Sequence, residues 1–308
     1  MTQENHNSKS MFHGFWALTN RDLKKWYKAP LLVLMSIIQP ILWMGLFGRA
    51  MNISAMFSPD RIAGTLKSLP PLTIDPPLTT GQMQGLLTFF GQFQANIMQN
   101  TFGVSDYFSF MAVGMLSFVV VFTAMFSGMS IVWDRRLGFL NKALSTPIAR
   151  GSIIMSKVLN SVIRSLIQAS IVVVLAWLFG MQFSASFTVV HLLVAFAALF
   201  LMCLGLSSLF LAIAIRSTKW ETQMAVVNLL NLPLIFTSNA LFPTTFMPDW
   251  LQSISKINPI TYGTDAVRQM LILSPNFAQL GWDFAFLGAL AFIFAAVGIF
   301  LSVRYLSK

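Results

Sequence analysis

The sequence predicts an all-α integral membrane protein: six transmembrane helices, an N-terminal interfacial helix, a short cytoplasmic helix, and short external helices between the fifth and sixth spans. Three observations predict it. First, 56% of the 308 residues are hydrophobic and 10% are charged, with a mean hydropathy of +0.71, whereas a soluble domain is about 25% charged. Second, continuous apolar runs at roughly 30–49, 107–132, 158–180, 189–215 and 284–304 reach the about 20 residues needed to cross a bilayer core. A sixth, roughly 222–242, is more polar but still mostly apolar. Third, the cationic residues are unevenly placed. With six spans and a cytoplasmic N-terminus, the external segments hold only Arg49, Arg61, Lys67, Lys256 and Arg268, and all the rest but Arg164 fall inside. This positive-inside bias puts both termini in the cytoplasm.

The same facts exclude other classes. One cysteine, Cys203, within an apolar run rules out a disulfide scaffold. The 29 Phe, 8 Trp and 18 Met rule out disorder. The net charge of +10 is explained by topology, which leaves nothing for a nucleic-acid partner to explain. Strand barrels need short alternating segments, and these runs are continuous.

Along the chain, residues 1–29 form a cytoplasmic head and interfacial helix, and 30–308 a six-helix transmembrane domain. The stretch MFHGFWALTNRDLKKWYK, residues 11–28, spaces Phe12, Phe15, Trp16, Thr19, Leu23, Trp26 and Tyr27 helically among Arg21, Lys24, Lys25 and Lys28. Such a helix lies in the headgroup plane with its basic face toward anionic lipid. Whether it only anchors the chain or also transmits motion stays open. It lacks the basic start, apolar core and small-residue site of a cleavable signal peptide.

The external segment 50–106 is rich in proline and then in glutamine. Within it Met83, Leu86, Leu87, Phe90, Phe93 and Ile97 mark one face of a helix, read either as a cap over a pathway or as a solvated loop helix. The cytoplasmic segment 133–157, WDRRLGFLNKALSTPIARGSIIMSK, carries a short helical pattern through Leu137, Leu140 and Leu144 that Thr146-Pro147 breaks. It is either a docking device or a basic loop enforcing topology. In the external segment 243–283, Pro243, Pro248, Pro259 and Pro275 cut two short helices, about 249–257 and 260–273. Their apolar content suits the outer leaflet, where irregular backbone needs protein or water to satisfy it.

No catalytic constellation emerges. His6, His13 and His191 lack metal-ligand spacing, and His191 at a membrane edge reads as a polar cap. Cys203 reads as packing. No HExxH, GxSxG or phosphate-cradling GxxxxGK[ST] is present. Internal repeats and membrane-embedded carboxylates, the marks of an ion-driven carrier, are absent too, which places the energy source in another chain. Arg164 sits within the third span, where it either snorkels or pairs, or else serves a pathway. Asn228, Asn231, Pro233 and Asn239 read as a pathway or dimer seam, or as interhelical glue.

At this point the sequence resembles the permeases of the ABC type-2 exporter family, which includes drug-resistance, polysaccharide and lipid exporters. The resemblance rests on RDLKKWYKAP leading to Gln39-Pro40, on WDRRLGFLNKALSTPIARGSIIMSK, on NLPLIFTSNALFPTTFMPDWLQSISKINPITYGTDAVRQM, and on the six-span pattern. It covers the chain except the head and the segment 50–106, which is longer than in compact drug-exporter members. It implies a half-transporter: two permease copies, a homodimer, in the cell membrane, with ATP and Mg bound by a separate ATPase subunit and no cofactor in this chain. The coupling helix would comprise Asp134, Arg135, Arg136, Leu137, Gly138, Leu140, Pro147 and Arg150, with Asp134 where the family often has Glu. Residues 11–28 would be a connecting helix. The external gate would comprise Phe242, Pro243, Pro248, Trp250, Asn258, Pro259, Tyr262, Asp265 and Arg268. The cargo implied is an amphipathic drug- or lipid-like molecule. A polysaccharide exporter, a membrane lipid enzyme and a non-transporting assembly or sensory subunit are the alternatives.

Overall fold

The structure is a computed structural model that describes residues 3–50, 61, 64, 79–104, 106–146, 149–217 and 219–305. The predicted coupling residue Pro147 and most of the external segment up to residue 78 lie outside the described residues. Among the described residues every regular element is helical.

The N-terminal helix α1 (Gln3–Tyr27) begins earlier than the residue 11 expected from the aromatic spacing. It packs along α6 (Arg150–Leu178) and touches the start of α2 (Pro30–Trp43). Pro30 opens α2 at the position where its missing N–H costs nothing. Past Pro40 the helix loosens into a π-helical stretch, Met44–Ala50. The predicted external amphipathic helix is α3 (Thr80–Ile97), started by a capping box in which Thr79 and Gln82 satisfy each other's backbone N–H groups. It continues through a second π-helical stretch, Met98–Phe102, whose Met98 and Phe102 are buried.

Helix α4 (Tyr107–Arg136) is the axis of the molecule, with residues buried on every face. It is capped by Asp106, which accepts from the Ser109 N–H at 3.1 Å. Small residues let neighbouring backbones approach it, as membrane helix contacts require. A Cβ at Gly114 would lie 2.0 Å from the Ala240 carbonyl oxygen, and one at Gly128 would lie 2.6 Å from that of Phe210. Ser117 accepts from Thr264 at 2.8 Å. Around α4 stand α6, α7 (Val189–Ala214), α10 (Pro259–Leu271) and α8 (Trp220–Phe236). The short α5 (Phe139–Leu144) hangs below it, and α11 (Phe277–Tyr305) packs chiefly on α7.

Among the described residues four helical stretches are long and apolar enough to cross a membrane: the one ending at Arg136, then α6, α7 and α11. The first and fifth predicted spans are shorter as helices. For the first, the α-helix stops at Trp43 and the π-helical stretch carries it to residue 50. For the fifth, α8 stops at Phe236, and the expected run to 242 is completed by tight turns, Thr237 N–H bonding the Pro233 carbonyl and Ser238 N–H that of Ile235. The external helices fall where the prolines predicted them: α9 (Asp249–Ser255), then α10, with Pro259 at its first turn.

Candidate functional site

The end of the bundle from which α5 projects holds a cluster of five charged side chains from three elements. Asp134, near the end of α4, accepts from Lys157 Nζ of α6 at 2.6 Å and from Arg21 Nη2 of α1 at 3.1 and 2.9 Å. Asp22 accepts from Arg21 Nε at 2.9 Å and from Lys157 at 3.4 Å. Lys25 stands 3.6 Å from Asp134 and 3.9 Å from Asp22. The side chains of Asp134 and Lys157 are 7% and 4% exposed. Burial alone would raise the Asp134 carboxyl, but the ammonium of Lys157 and its hydrogen bond, then Arg21 and Lys25, outweigh it and hold it below the ordinary carboxylate value. The Arg21 guanidinium also lies 3.4 Å from the centre of the Phe139 ring, the first residue of α5.

The basic edge of the predicted interfacial helix thus divides: Arg21 is drawn in to Asp134, and Lys25 stands beside the same carboxylate while its side chain stays 57% exposed. Thr19 is fully buried in the same seam, and its carbonyl accepts from Asn160 at 3.4 Å.

Below the cluster the chain turns through Gly138, whose φ of 71° is a left-handed conformation that favours glycine. Helix α5 comes next. Leu140 and Ala143 on it are buried, while Asn141, Lys142 and Ser145 are exposed, as are Arg136 and Leu137 just before it; Leu137 is 71% exposed. Arg135 turns inward and donates to the carbonyls of Ser217 at 2.7 Å and Ile215 at 2.8 Å, closing the C-terminal end of α7. Burial lowers its pKa. Arg150 opens α6, half-buried, with Nη1 lacking a hydrogen-bond partner among the described residues. The predicted coupling residues thus divide in two. Asp134, Arg135 and Leu140 hold the projection to the bundle, and Arg136, Leu137 and Gly138 face outward.

The predicted seam residues do not share one environment. Asn228 and Pro233 lie on an exposed face of α8 with Leu229, Leu232 and Phe236. Asn231 is half-buried, its Oδ1 unpartnered, and Asn239 is buried behind α8 with its amide on the Asp265 carboxylate.

The predicted external gate is likewise layered. Phe242, Pro248 and Trp250 are exposed, and Pro243 is buried. Asn258 donates to the Leu234 carbonyl at 2.6 Å and to Thr237 at 2.9 Å, and its Oδ1 caps α10 at Ile260 N–H. This one side chain ties the end of α8 to α10, where Pro259 sits beside it. Tyr262 donates to the Lys256 carbonyl at 2.6 Å and stacks on Phe286, with ring centroids 4.0 Å apart. Arg268 is buried, donates to the Ala240 carbonyl at 3.1 Å and lies over the Phe110 ring.

His191 caps α7 through Thr188, whose N–H lies 3.2 Å from its Nδ1. Cys203 is fully buried, 3.7 Å from the Ser161 hydroxyl. No cluster of metal-ligating side chains occurs among the described residues.

Sequence reasoning missed Asp22 and Lys157 as site residues. A signal existed: Asp22 and Asp134 are acids inside cytoplasmic segments otherwise dominated by basic charge. An acid there points to a specific partner, because it opposes the topological bias.

The family profile of the ABC-2 type transporter matches residues 13–272. A protein named as transport permease ycf38 from Porphyra purpurea is 32% identical over 212 residues, covering 67% of this chain and 69% of its own. Its namesake from Cyanophora paradoxa is 28% identical over 274 residues, covering 87% and 78%. The daunorubicin resistance ABC transporter permease protein DrrB1 of Streptomyces coeruleorubidus is 23% identical over 190 residues, covering 62% and 66%. The chain belongs to the ABC-2 type transporter family, as a transmembrane transport subunit of an ABC transporter.

Proposed function

We propose that two copies of this chain form an export pathway along their interface in the cell membrane, and that ATP-binding subunits docked beneath α5 drive it. ABC-2 permeases work with an ATP-binding subunit, so ATP and Mg are bound by that partner. In this layout the chain crosses the membrane six times with both termini cytoplasmic. The four long apolar helices supply four, residues 30–50 supply the first, and α8 with the turns behind it supplies the fifth. The exposed face of α8 faces the second copy, and the apolar side chains exposed on α11, such as Phe292 and Phe300, face lipid.

The observation that carries the reading is the shared ion cluster. Asp134 is bonded at once to α1 and α6, and α5 begins just beyond it, after a single glycine turn. A push on the exposed surface of α5 therefore reaches three elements through short charge-assisted contacts, with Arg135 passing it to the end of α7. At the opposite end, Asn258 and Arg268 link the α8 turn to α10, so movement of α8 alters the external mouth. The cargo is an amphipathic drug- or lipid-like molecule, in keeping with a daunorubicin resistance permease among the relatives.

The test is purification from the native membrane in mild detergent, then reconstitution in liposomes. An ATP-binding subunit in about one-to-one ratio, with ATP-dependent movement of an amphipathic dye, supports export. A stable dimer that brings no ATP-binding subunit turns the reading to an assembly or sensory subunit.

A further inference from the structure

Between α2, α4, α6 and the start of α8 lies a cavity of about 520 Å³, within the range of small-molecule sites. Its walls are aromatic and aliphatic, including Phe118, Phe122, Trp133 and Trp220. Rim residues Met35, Phe126 and Trp133 are about half exposed, so the cavity opens sideways from the bundle rather than into its core.

One charged side chain lines it, Arg164. No hydrogen bond or ion pair reaches Arg164 among the described residues; its Nε is buried without a partner, and the guanidinium rests 5.3 Å from the Trp26 ring. Asp22, the acid whose field reaches it, is already held by Arg21 and Lys157. Beside it Gln168 is directed elsewhere, accepting from Thr123 at 2.6 Å and donating to Ser36 at 2.6 Å, and makes no bond to the arginine. A cation withdrawn from water without a counter-charge is costly and is ordinarily paired. Among the described residues no acid makes direct contact with the partly exposed Arg164, which leaves its guanidinium open to a ligand's charge.

We propose that this cavity binds an amphiphile carrying one acidic head group, a carboxylate or phosphate, with the head on Arg164 and the apolar body between the α2 and α4 walls. Arg164 lies two turns in from Lys157 and the cytoplasmic cluster, so the head sits at inner-leaflet depth and the chain leaves through the lateral mouth. A guanidinium suits either head through bidentate hydrogen bonds. Binding at this cavity does not depend on the exporter reading, which concerns only the fate of the bound molecule; occupancy is measured on the permease without its ATP-binding subunit.

Trp133 and Trp220 report on the cavity directly. The full chain in detergent is titrated with 9,10-dibromostearate and with the neutral 9,10-dibromostearyl alcohol, following tryptophan quenching. In a second arm, nanodiscs carry brominated phosphatidylglycerol or brominated phosphatidylcholine. The acid is expected to quench saturably and about tenfold more tightly than the alcohol. Arg164→Gln abolishes that preference while still binding the alcohol, which shows an intact cavity; Arg164→Lys keeps part of it. Replacing both tryptophans, Trp133→Phe with Trp220→Phe, reduces the saturable signal to the part reported by Trp26 beside Arg164 and Trp43 beside Phe118. Stronger quenching by phosphatidylglycerol than phosphatidylcholine identifies a membrane lipid as the ligand, and preference confined to the free acid identifies a diffusing amphiphile. Equal affinity for acid and alcohol, or an acid preference that survives Arg164→Gln, overturns the proposal.

Discussion

Lys157 of α6 donates to Asp134 of α4 at 2.6 Å, and both side chains are almost completely withdrawn from solvent. The pair ties the end of α4 to α6, and Arg21 brings the N-terminal helix into the same contact. A buried pair of this kind is a poor source of net stability, since desolvation opposes the attraction. Its consequence is specificity. The observed placement of α1 brings all five charges together and sets α5 against Arg21 through Phe139.

Removing the charge of Asp134 should therefore be costly. Asp134→Asn leaves Lys157 and Arg21 buried with Asp22 as their remaining acid, and should destabilise the chain toward the lower end of the roughly 3–5 kcal/mol typical of breaking a buried pair. Adding Lys157→Met should recover much of the loss, because the stranded cation goes too. Thermal melting of the four proteins of this cycle in one detergent measures both effects.

The pH response has a fixed sign. Because the folded chain holds Asp134 below its ordinary value, the contribution of this group is complete above the unfolded value of about 3.9. It is lost only as pH falls through the lower folded value. Melting temperature against pH should show no loss from this carboxylate between pH 8 and 5, then a decline in acid that is weaker in Asp134→Asn.

The α8 face should be separable from the fold. Leu229 and Leu232 are 72% and 61% exposed and contribute little to the packing of one copy. Leu229→Arg with Leu232→Arg should leave the secondary structure of the detergent-solubilised chain unchanged and convert a dimer to a monomer in light scattering. A dimer of unchanged mass would place the interface elsewhere.

The all-helical membrane class was legible because a spanning helix must satisfy one length and one composition, and two short helices because prolines punctuate them visibly. Pro248 and Pro259 marked α9 and α10 almost to the residue. What could not be read was which apolar surface meets protein. The stretch containing α4 is nearly all buried, whereas α11, no less apolar, is mostly exposed. Lipid and protein interior are equally apolar solvents, so hydrophobicity does not tell them apart. The small residues Gly114, Ser117 and Gly128 were the better guide to α4.

Side-chain partners were read less well, for a related reason. Arg21 and Lys25 have the spacing of lipid-facing cations, and only the rotation of α1 on α6 directs them to Asp134. Asn239 looks, by position, like its neighbours Asn228 and Asn231, yet the chain leaves α8 after Phe236 and carries it inward to Asp265. Leu137, Leu140 and Leu144 follow one helical pattern, but the turn at Gly138 puts Leu137 before α5, outside, and Leu140 within.

That last division supplies the most direct test of coupling. Arg135 and Leu140 are built into the bundle, so changing them confounds docking with folding. Leu137 is free of that difficulty. Tagged wild type and Leu137→Glu, purified in parallel from membranes that also contain the ATP-binding subunit, should melt at the same temperature. The wild type should carry the ATP-binding subunit at about one-to-one, and the variant should lose it together with ATP-dependent transport. An ATP-binding subunit retained at the wild-type ratio, with transport intact, would contradict the placement of the coupling surface at α5.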